Sequence, residues 1–343
     1  MARTLRIASC NGEWMNNWFT PDAQPAQWVQ TFDADGVTVR SRDVADRLAR
    51  LIRAIDADIV ALEEAPSRTE ELERFLADCL SDGGEADYRA ILGDSGGQQK
   101  LAILYRKELD VRLAPGPEVA PLLEEWACDV DGDMLLEPYE FTRRPLVVDA
   151  ALGGPKLRII ALHTKSNFVN RGEALWKNDR QAYVSAALKN RRRISAEAMR
   201  VRRYVDLLLD QDPAARVIVL GDFNDGPGLD YFEEKYLSHN VTDILVGSTF
   251  APERLFHNAQ HDVPPDERYT AVFDDFVEGL KEKRMLLDHV LVSRGLADGD
   301  GVRAVPRSGR VHHAEWQALV KNGGRRRDER PSDHRPVSVS IQY

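Results

Sequence analysis

The sequence predicts an α/β fold in which two mixed β-sheets pack together with helices outside, and three features of its 343 residues carry that prediction. Short runs rich in Val, Ile and Leu recur along the chain. Amphipathic helical patterns precede some of them, and other neighbouring runs have no helix between them.

Taken in order, the runs are Leu5–Cys10, Ile59–Leu62, Leu101–Tyr105, Leu146–Val148, Leu157–Leu162, Val217–Leu220, His289–Ser293 and Val337–Ile341. Each is about the length of a strand. Val44, Leu48, Leu51, Ile52 and Ile55 recur at helical spacing before the second run, and Ile194, Ala198, Val201, Val205 and Leu208 before the sixth. No internal repeat and no low-complexity linker divides the chain, so residues 1–343 read as a single domain.

Hydrophobic residues make up 43% and charged residues 30%, a composition that suits a folded core. The formal charge of −10 argues against a surface that coats nucleic acid by charge alone, but it leaves room for a nuclease whose acidic residues hold metal ions. Cys10, Cys79 and Cys128 are odd in number and widely spaced, which gives neither a disulfide framework nor a zinc site. No basic start with an apolar leader and no membrane-length run is present, so a cytoplasmic location, a monomer and no membrane partner are expected.

Two segments are locally basic. Residues 189–203, KNRRRISAEAMRVRR, carry seven basic residues against one acid, and residues 321–330, KNGGRRRDER, carry five against two. They read either as solvated surface or as contacts for the phosphates of an anionic partner. Residues 129–140, DVDGDMLLEPYE, imitate a calcium loop, but Met134 stands at the turn position that needs glycine and Pro138 disrupts the following helix. An acidic surface loop or hairpin is the expectation there.

The residues that carry chemistry stand where the apolar runs end. Asn11 follows the first, Glu63 and Glu64 the second, His163-Thr164-Lys165-Ser166-Asn167 the fifth, and Asp222 and Asn224 the sixth; Asp288 opens the seventh, and Ser332-Asp333-His334 precede the last. Singly, each has a structural explanation as a turn cap or a satisfied histidine. Together they form a kit of hard oxygens, histidines and a lysine, suited to Mg2+ or Mn2+ and to metal-assisted hydrolysis of a phosphate ester.

The segments ASCNGEW, DIVALEEA, LHTKSN, GDFND, LLDHVLVS and SDHRPV, in that order, resemble the six signatures of the endonuclease/exonuclease/phosphatase superfamily. The resemblance implies a four-layered α/β sandwich. It also implies that Asn11, Glu64 and Asp333 lie on the metal side, that Asp222 orients or deprotonates the attacking water, and that Asn224 holds the scissile phosphate. His334 then polarises the phosphate, or serves as the base, with its tautomer fixed by Asp288, and His163 sits near the leaving group. Gln99 stands where relatives similar to deoxyribonuclease I pair that histidine with a glutamate. Arg144 and Lys165 are the expected phosphate contacts. The stretch from Phe250 to Glu282 matches no signature.

Three functions are compatible with this pattern: a metal-dependent nuclease on DNA or RNA, a phosphoesterase on a small molecule or lipid headgroup, and a binding protein that has lost the chemistry. The complete set from Asn11 to His334 disfavours the last. The two basic segments favour nucleic acid, and no apolar membrane-docking hairpin is evident in the sequence.

Overall fold

The computed structural model of the chain describes residues 3–34, 36–82, 85–299 and 301–343. Its sheet strands, in chain order, are β1 (Thr4–Asn11), β2 (Ile59–Ala65), β3 (Tyr88–Leu92), β4 (Lys100–Arg106), β5 (Asp110–Leu113), β6 (Leu146–Ala151), β7 (Lys156–His163), β8 (Val217–Asp222), β9 (His257–Asn258), β10 (Asp288–Val292), β11 (Arg303–Ala304), β12 (Arg310–Val311) and β13 (Val337–Gln342). One sheet runs β11-β13-β1-β2-β4-β3, with β12 also on β13, and the other runs β9-β10-β8-β7-β6-β5. Most neighbours are antiparallel, but each sheet has a parallel pair near its centre, β1 with β2 and β7 with β8.

The alternation of side chains along each strand builds the layers. Leu5 and Ile7 of β1 face Ile159, Ala161, Ile218, Leu220 and Val290 between the sheets. Ala8 and Cys10 of the same strand turn the other way, onto Val44, Leu48 and Ile52 of helix α1 (Ser41–Ile55). The second sheet presents Ile160, Leu162, Val217 and Val219 outward to Ile194, Val201 and Val205 of a long helix, Arg180–Gln211. Both faces of the central strands are covered, which is why their sequences are continuous apolar runs. Each fully buried Leu, Ile or Val contributes roughly 1.5–3 kcal/mol to this packing.

All eight apolar runs are strands in the structure. The sequence reading missed β3 and β5, at the sheet edges, where YRAIL and DVRL carry charges and never form an apolar run. It also missed the helix Thr69–Cys79.

The basic segment 189–203 does not open a helix; Arg180–Gln211 begins well before it. Arg191 is buried and donates from Nε to Asp230 at 2.9 Å, Arg192 pairs with Asp131, and Arg193 donates to the Glu140 carbonyl at 3.2 Å. These three arginines hold loops against the helix and are not a free phosphate-binding face.

Residues 129–140 include the connection between short strands Trp126–Cys128 and Glu137–Tyr139, as an acidic hairpin should, but the loop exposes Met134, Leu135 and Leu136. An apolar hairpin tip is therefore present where the sequence suggested none. No helix among the described residues is long and apolar enough to cross a membrane. The unassigned stretch from Phe250 to Glu282 runs into a hairpin, Ala271–Asp275 with Leu280–Met285, whose second strand ends three residues beyond it.

Candidate active site

The two parallel pairs end at one place. In register, Asn11 stands beside Glu63 on the first sheet, while His163 stands beside Asp222 and Asp222 opposite Asp288 on the second. The sheets meet through Asn11, whose Nδ2 donates to Asp222 Oδ2 at 3.3 Å while its Oδ1 accepts the Glu13 N–H at 2.8 Å.

Local backbone irregularities aim the groups. The β2–β4 register shifts between Leu62 and Ala65, and Glu64 takes φ 55°. This bulge re-aims consecutive carboxylates. Glu63 is buried and accepts from Ser9 Oγ at 2.9 Å, whereas Glu64 reaches the cleft and accepts the Trp14 N–H at 2.8 Å. In GDFN, Gly221 has φ 139°, and a Cβ there would lie 1.8 Å from the Leu162 carbonyl oxygen, so no other residue fits. Asp222 Oδ1 then accepts the Asn224 N–H at 2.8 Å and closes the turn that presents both side chains.

Asp288 and His334 form the tightest pair, Oδ2 to Nδ1 at 2.7 Å, with Asp222 Oδ2 4.0 Å from the same ring nitrogen. Burial alone would lower the His334 pKa, but Asp288 and Asp222 hold it well above the ordinary histidine value. Burial raises Asp222 to about 7, against the pull of His334. His163 is only 2% exposed, with Nε2 3.6 Å from Asp222 Oδ2. Burial, with Arg143, His334 and Lys165 nearby, pushes its pKa well below the ordinary value, so the ring is neutral.

Two expected contacts change. Arg144 is exposed, and its neighbour Arg143 turns inward. Arg143 donates to the Thr164 carbonyl at 3.0 Å and from Nε to Gln99 Oε1 at 3.2 Å, and it faces Glu64, Asp222 and Glu197. Gln99 therefore serves Arg143 and not His163. Lys165 is half-buried; its Nζ donates to the Ser166 carbonyl at 2.9 Å, and burial and Arg143 lower its pKa.

The sequence reading also passed over Glu197. This fully buried carboxylate accepts the Thr142 N–H at 2.7 Å and the Lys165 N–H at 2.9 Å, tying together the loops that carry Arg143 and Lys165. The available signal was that it is the single acid in the basic segment 189–203.

The donor set on the first sheet fits a divalent cation. Glu64 is raised to about 7 by burial and then by the Asp333 carboxylate facing it. Buried Glu13 is also raised, by burial and by Asp333, while Arg327 and Arg330 pull the other way. Carboxyls crowded in this way, with the Asn11 amide beside them, are hard oxygen donors that a cation would relieve. Asp222, Asp288 and His334 also bring ligating atoms within 4.8 Å of one another. There the hydrogen bond between Asp288 and His334 already satisfies the pair, so Glu64, Asp333 and Asn11 are the better metal side.

The profile of the Endonuclease/Exonuclease/phosphatase family matches residues 31–334. Truncated Caenorhabditis elegans TDP2 superposes with a TM-score of 0.51 at 15% identity, covering 99% of this chain and 98% of that one. The human Nocturnin catalytic domain, solved with a bound sulfate anion, gives 0.51 at 13% identity over 99% and 97%. D. rerio TDP2, complexed with a single-strand DNA product, gives 0.50 at 14% identity over 98% of each chain. At these identities the likeness is one of fold. No curated protein sequence matches the chain.

Proposed function

Because the chain belongs to the Endonuclease/Exonuclease/phosphatase family, we propose that it is a divalent-metal-dependent phosphodiester hydrolase whose substrate is nucleic acid, DNA or RNA. One observation carries the reading: Asn11 joins an acidic metal side, Glu64 and Asp333, to a proton-handling side, Asp222 with Asp288–His334, across the seam of the two sheets. A bound Mg2+ or Mn2+ supplies Lewis-acid polarisation of the phosphoryl group and neutralises its developing charge.

The chain's own groups do the rest. Asp222, with a pKa raised to about 7, is matched to neutral pH as a base for the attacking water. His334, held protonated by Asp288, donates to a phosphoryl oxygen. Asn224 and Arg143 bind the phosphate, and Lys165 lies beside them. His163 is buried and neutral beside Asp222 and is poorly suited to act as an acid.

The engagement of Arg191, Arg192 and Arg193 in ion pairs and hydrogen bonds favours the second reading, a small-molecule phosphoesterase, because it removes the most basic face from polynucleotide binding. Cleavage of single- and double-stranded DNA and RNA, run beside bis(p-nitrophenyl) phosphate and phosphomonoesters in Mg2+ and in chelator, separates the two. Turnover of phosphomonoesters with every oligonucleotide left intact would establish the second.

A further inference from the structure

We propose that the groove between the hairpin Ala271–Asp275/Leu280–Met285 and the loop 321–335 binds the single-stranded segment of nucleic acid adjoining the scissile phosphate, with Phe273 as the platform for an unpaired base. This inference rests on the nucleic-acid reading above and specifies it. It also gives a role to the two stretches whose purpose the sequence left open, the segment after Phe250 and the basic run 321–330.

The groove has a volume of about 1080 Å³ and is continuous with the site, because Asp333 lines it. That volume is at the upper end of small-ligand pockets, which run to roughly 1,000 Å³, and leaves room for a short length of chain. Its walls carry five cations, Lys281, Arg284, Arg325, Arg330 and Arg335, against three carboxylates, Asp274, Glu282 and Asp333. Together with Phe273 they make a net-positive lining with an aromatic ring on a protein whose net charge is −10. That combination binds single strands: cations follow the phosphates, and an exposed ring offers its face to any base.

The cations differ in availability. Arg335 is packed over Trp316 at 4.1 Å, and Arg284 over Tyr269 at 4.6 Å, so both give the wall fixed positive charge. Arg325 and Lys281 are 86% and 82% exposed, paired with Glu282 at 3.3 Å and Asp274 at 2.7 Å. Such solvent-exposed pairs are weak and screened by salt, so a phosphate can replace the carboxylate partner. The Arg325–Glu282 pair joins the loop to the hairpin and would open as the strand enters.

Phe273 is 41% exposed, which leaves its ring accessible, and the ring lies 6.3 Å from that of His334. The hairpin is fastened to the reacting groups. Thr270 Oγ1 accepts the Leu287 N–H at 3.0 Å and the Asp288 N–H at 3.2 Å, and the Thr270 carbonyl accepts the Arg335 N–H at 2.8 Å. A base stacked on Phe273 is thereby held at a fixed place relative to Asp288 and His334.

The test uses the full chain in Mg2+ with a fluorescein-labelled single-stranded oligonucleotide and its duplex. Phe273→Ala should raise KM for the single strand roughly 5- to 150-fold, the range of one base–aromatic stack, while kcat stays within about threefold. The double variant Lys281→Ala/Arg325→Ala should flatten the slope of log(kcat/KM) against log salt by about 1.4, two contacts at ~0.7 each for a single strand. Unaltered melting temperatures check that these exposed positions leave the fold intact.

Wild-type KM and salt slope in all variants would overturn the groove assignment and leave the nuclease reading standing. A fall in kcat at constant KM for Phe273→Ala would also overturn it, since the ring would then act only by packing on His334. Hydrolysis of bis(p-nitrophenyl) phosphate with no cleavage of either oligonucleotide would remove the nucleic-acid reading and this inference with it.

Discussion

Glu197 offers the sharpest single perturbation, because it touches neither substrate nor the reacting groups and yet holds the loops that carry them. Its two oxygens accept one backbone N–H each, from Thr142 and from Lys165. Glu197→Gln keeps the volume but offers one acceptor oxygen, and its amide NH2 must face one of the two N–H donors. One charge-assisted bond is lost, worth about 1.5–3 kcal/mol, and relief from burying a charge offsets part of that. Unfolding entropy of ~2.1 cal/mol/K per residue over this chain gives ~0.7 kcal/mol per degree, so the melting temperature should fall by roughly 2–4 °C. Activity should fall further than stability suggests. Arg143 follows Thr142 directly and bonds the Thr164 carbonyl, so releasing either loop shifts its guanidinium. A displacement of about 1 Å in a positioning group can cost ~10²-fold.

The assay is a double-mutant cycle in kcat/KM with thermal melting alongside: wild type, Glu197→Gln, Arg143→Ala and the double variant. If Glu197 acts through Arg143, the second substitution adds little to the first. Fully additive losses, or a Glu197→Gln enzyme with wild-type kcat/KM beside a crippled Arg143→Ala, would refute the reasoning.

Three further outcomes are expected. Asp222→Asn should fold and lose about 10²–10⁴-fold in kcat, because an amide accepts no proton from water, and kinetics at pH 7.5 in Mg2+ check this. Asp288→Asn should lower the His334 pKa and shift the alkaline limb of the kcat profile to lower pH; an unmoved limb would show the 2.7 Å pair to be without kinetic role. Metal-free protein should lose stability from pH 6 to 8: Glu64 and Asp222, each raised to about 7, retain protons in the folded state that the unfolded chain has already released, each costing about 1.4 kcal/mol over that window, and raised His334 acts with the same sign. Neutral His163 has the opposite sign, because the unfolded ring still binds protons up to about pH 7.5, and it offsets part of this loss; Mg2+ should restore the melting temperature at pH 8 more than at pH 6.

Much of this was legible in the sequence because both faces of the central strands are covered, and apolar runs mark such strands directly. The ends of those runs delivered Asn11, Glu64, His163, Asp222, Asp288 and His334 to one cleft. The errors have distinct physical causes. Arg143 and Arg144 are adjacent in an irregular loop, where no periodicity says which one turns inward. Glu197 was readable in principle: it stands three residues after Ile194 and four before Val201, on the apolar stripe of its helix, and a carboxylate on such a stripe must find donors. Arg191, three residues before Ile194, obeys the same rule and is buried against Asp230. Charge count treated the segment as a uniform basic surface, when helical phase already separated its buried members from its exposed ones.

The same logic bears on why cation and proton chemistry occupy opposite sides of the seam. On the first sheet Glu64 is raised by burial and by Asp333, and Glu13 beside them is already paired with Arg327 and Arg330, so it is the Glu64–Asp333 pair that a cation would relieve. On the second sheet Asp288 carries its compensating charge with it in His334. A divalent ion placed among Asp222, Asp288 and His334 would compete with a protonated imidazole hydrogen-bonded to Asp288, whereas Glu64 and Asp333 face Arg143, Arg327 and Arg335 at longer range. Asn11 can link the two sides because an amide both donates and accepts without adding charge to either, and a carboxylate at that position would repel Asp222 across the 3.3 Å contact.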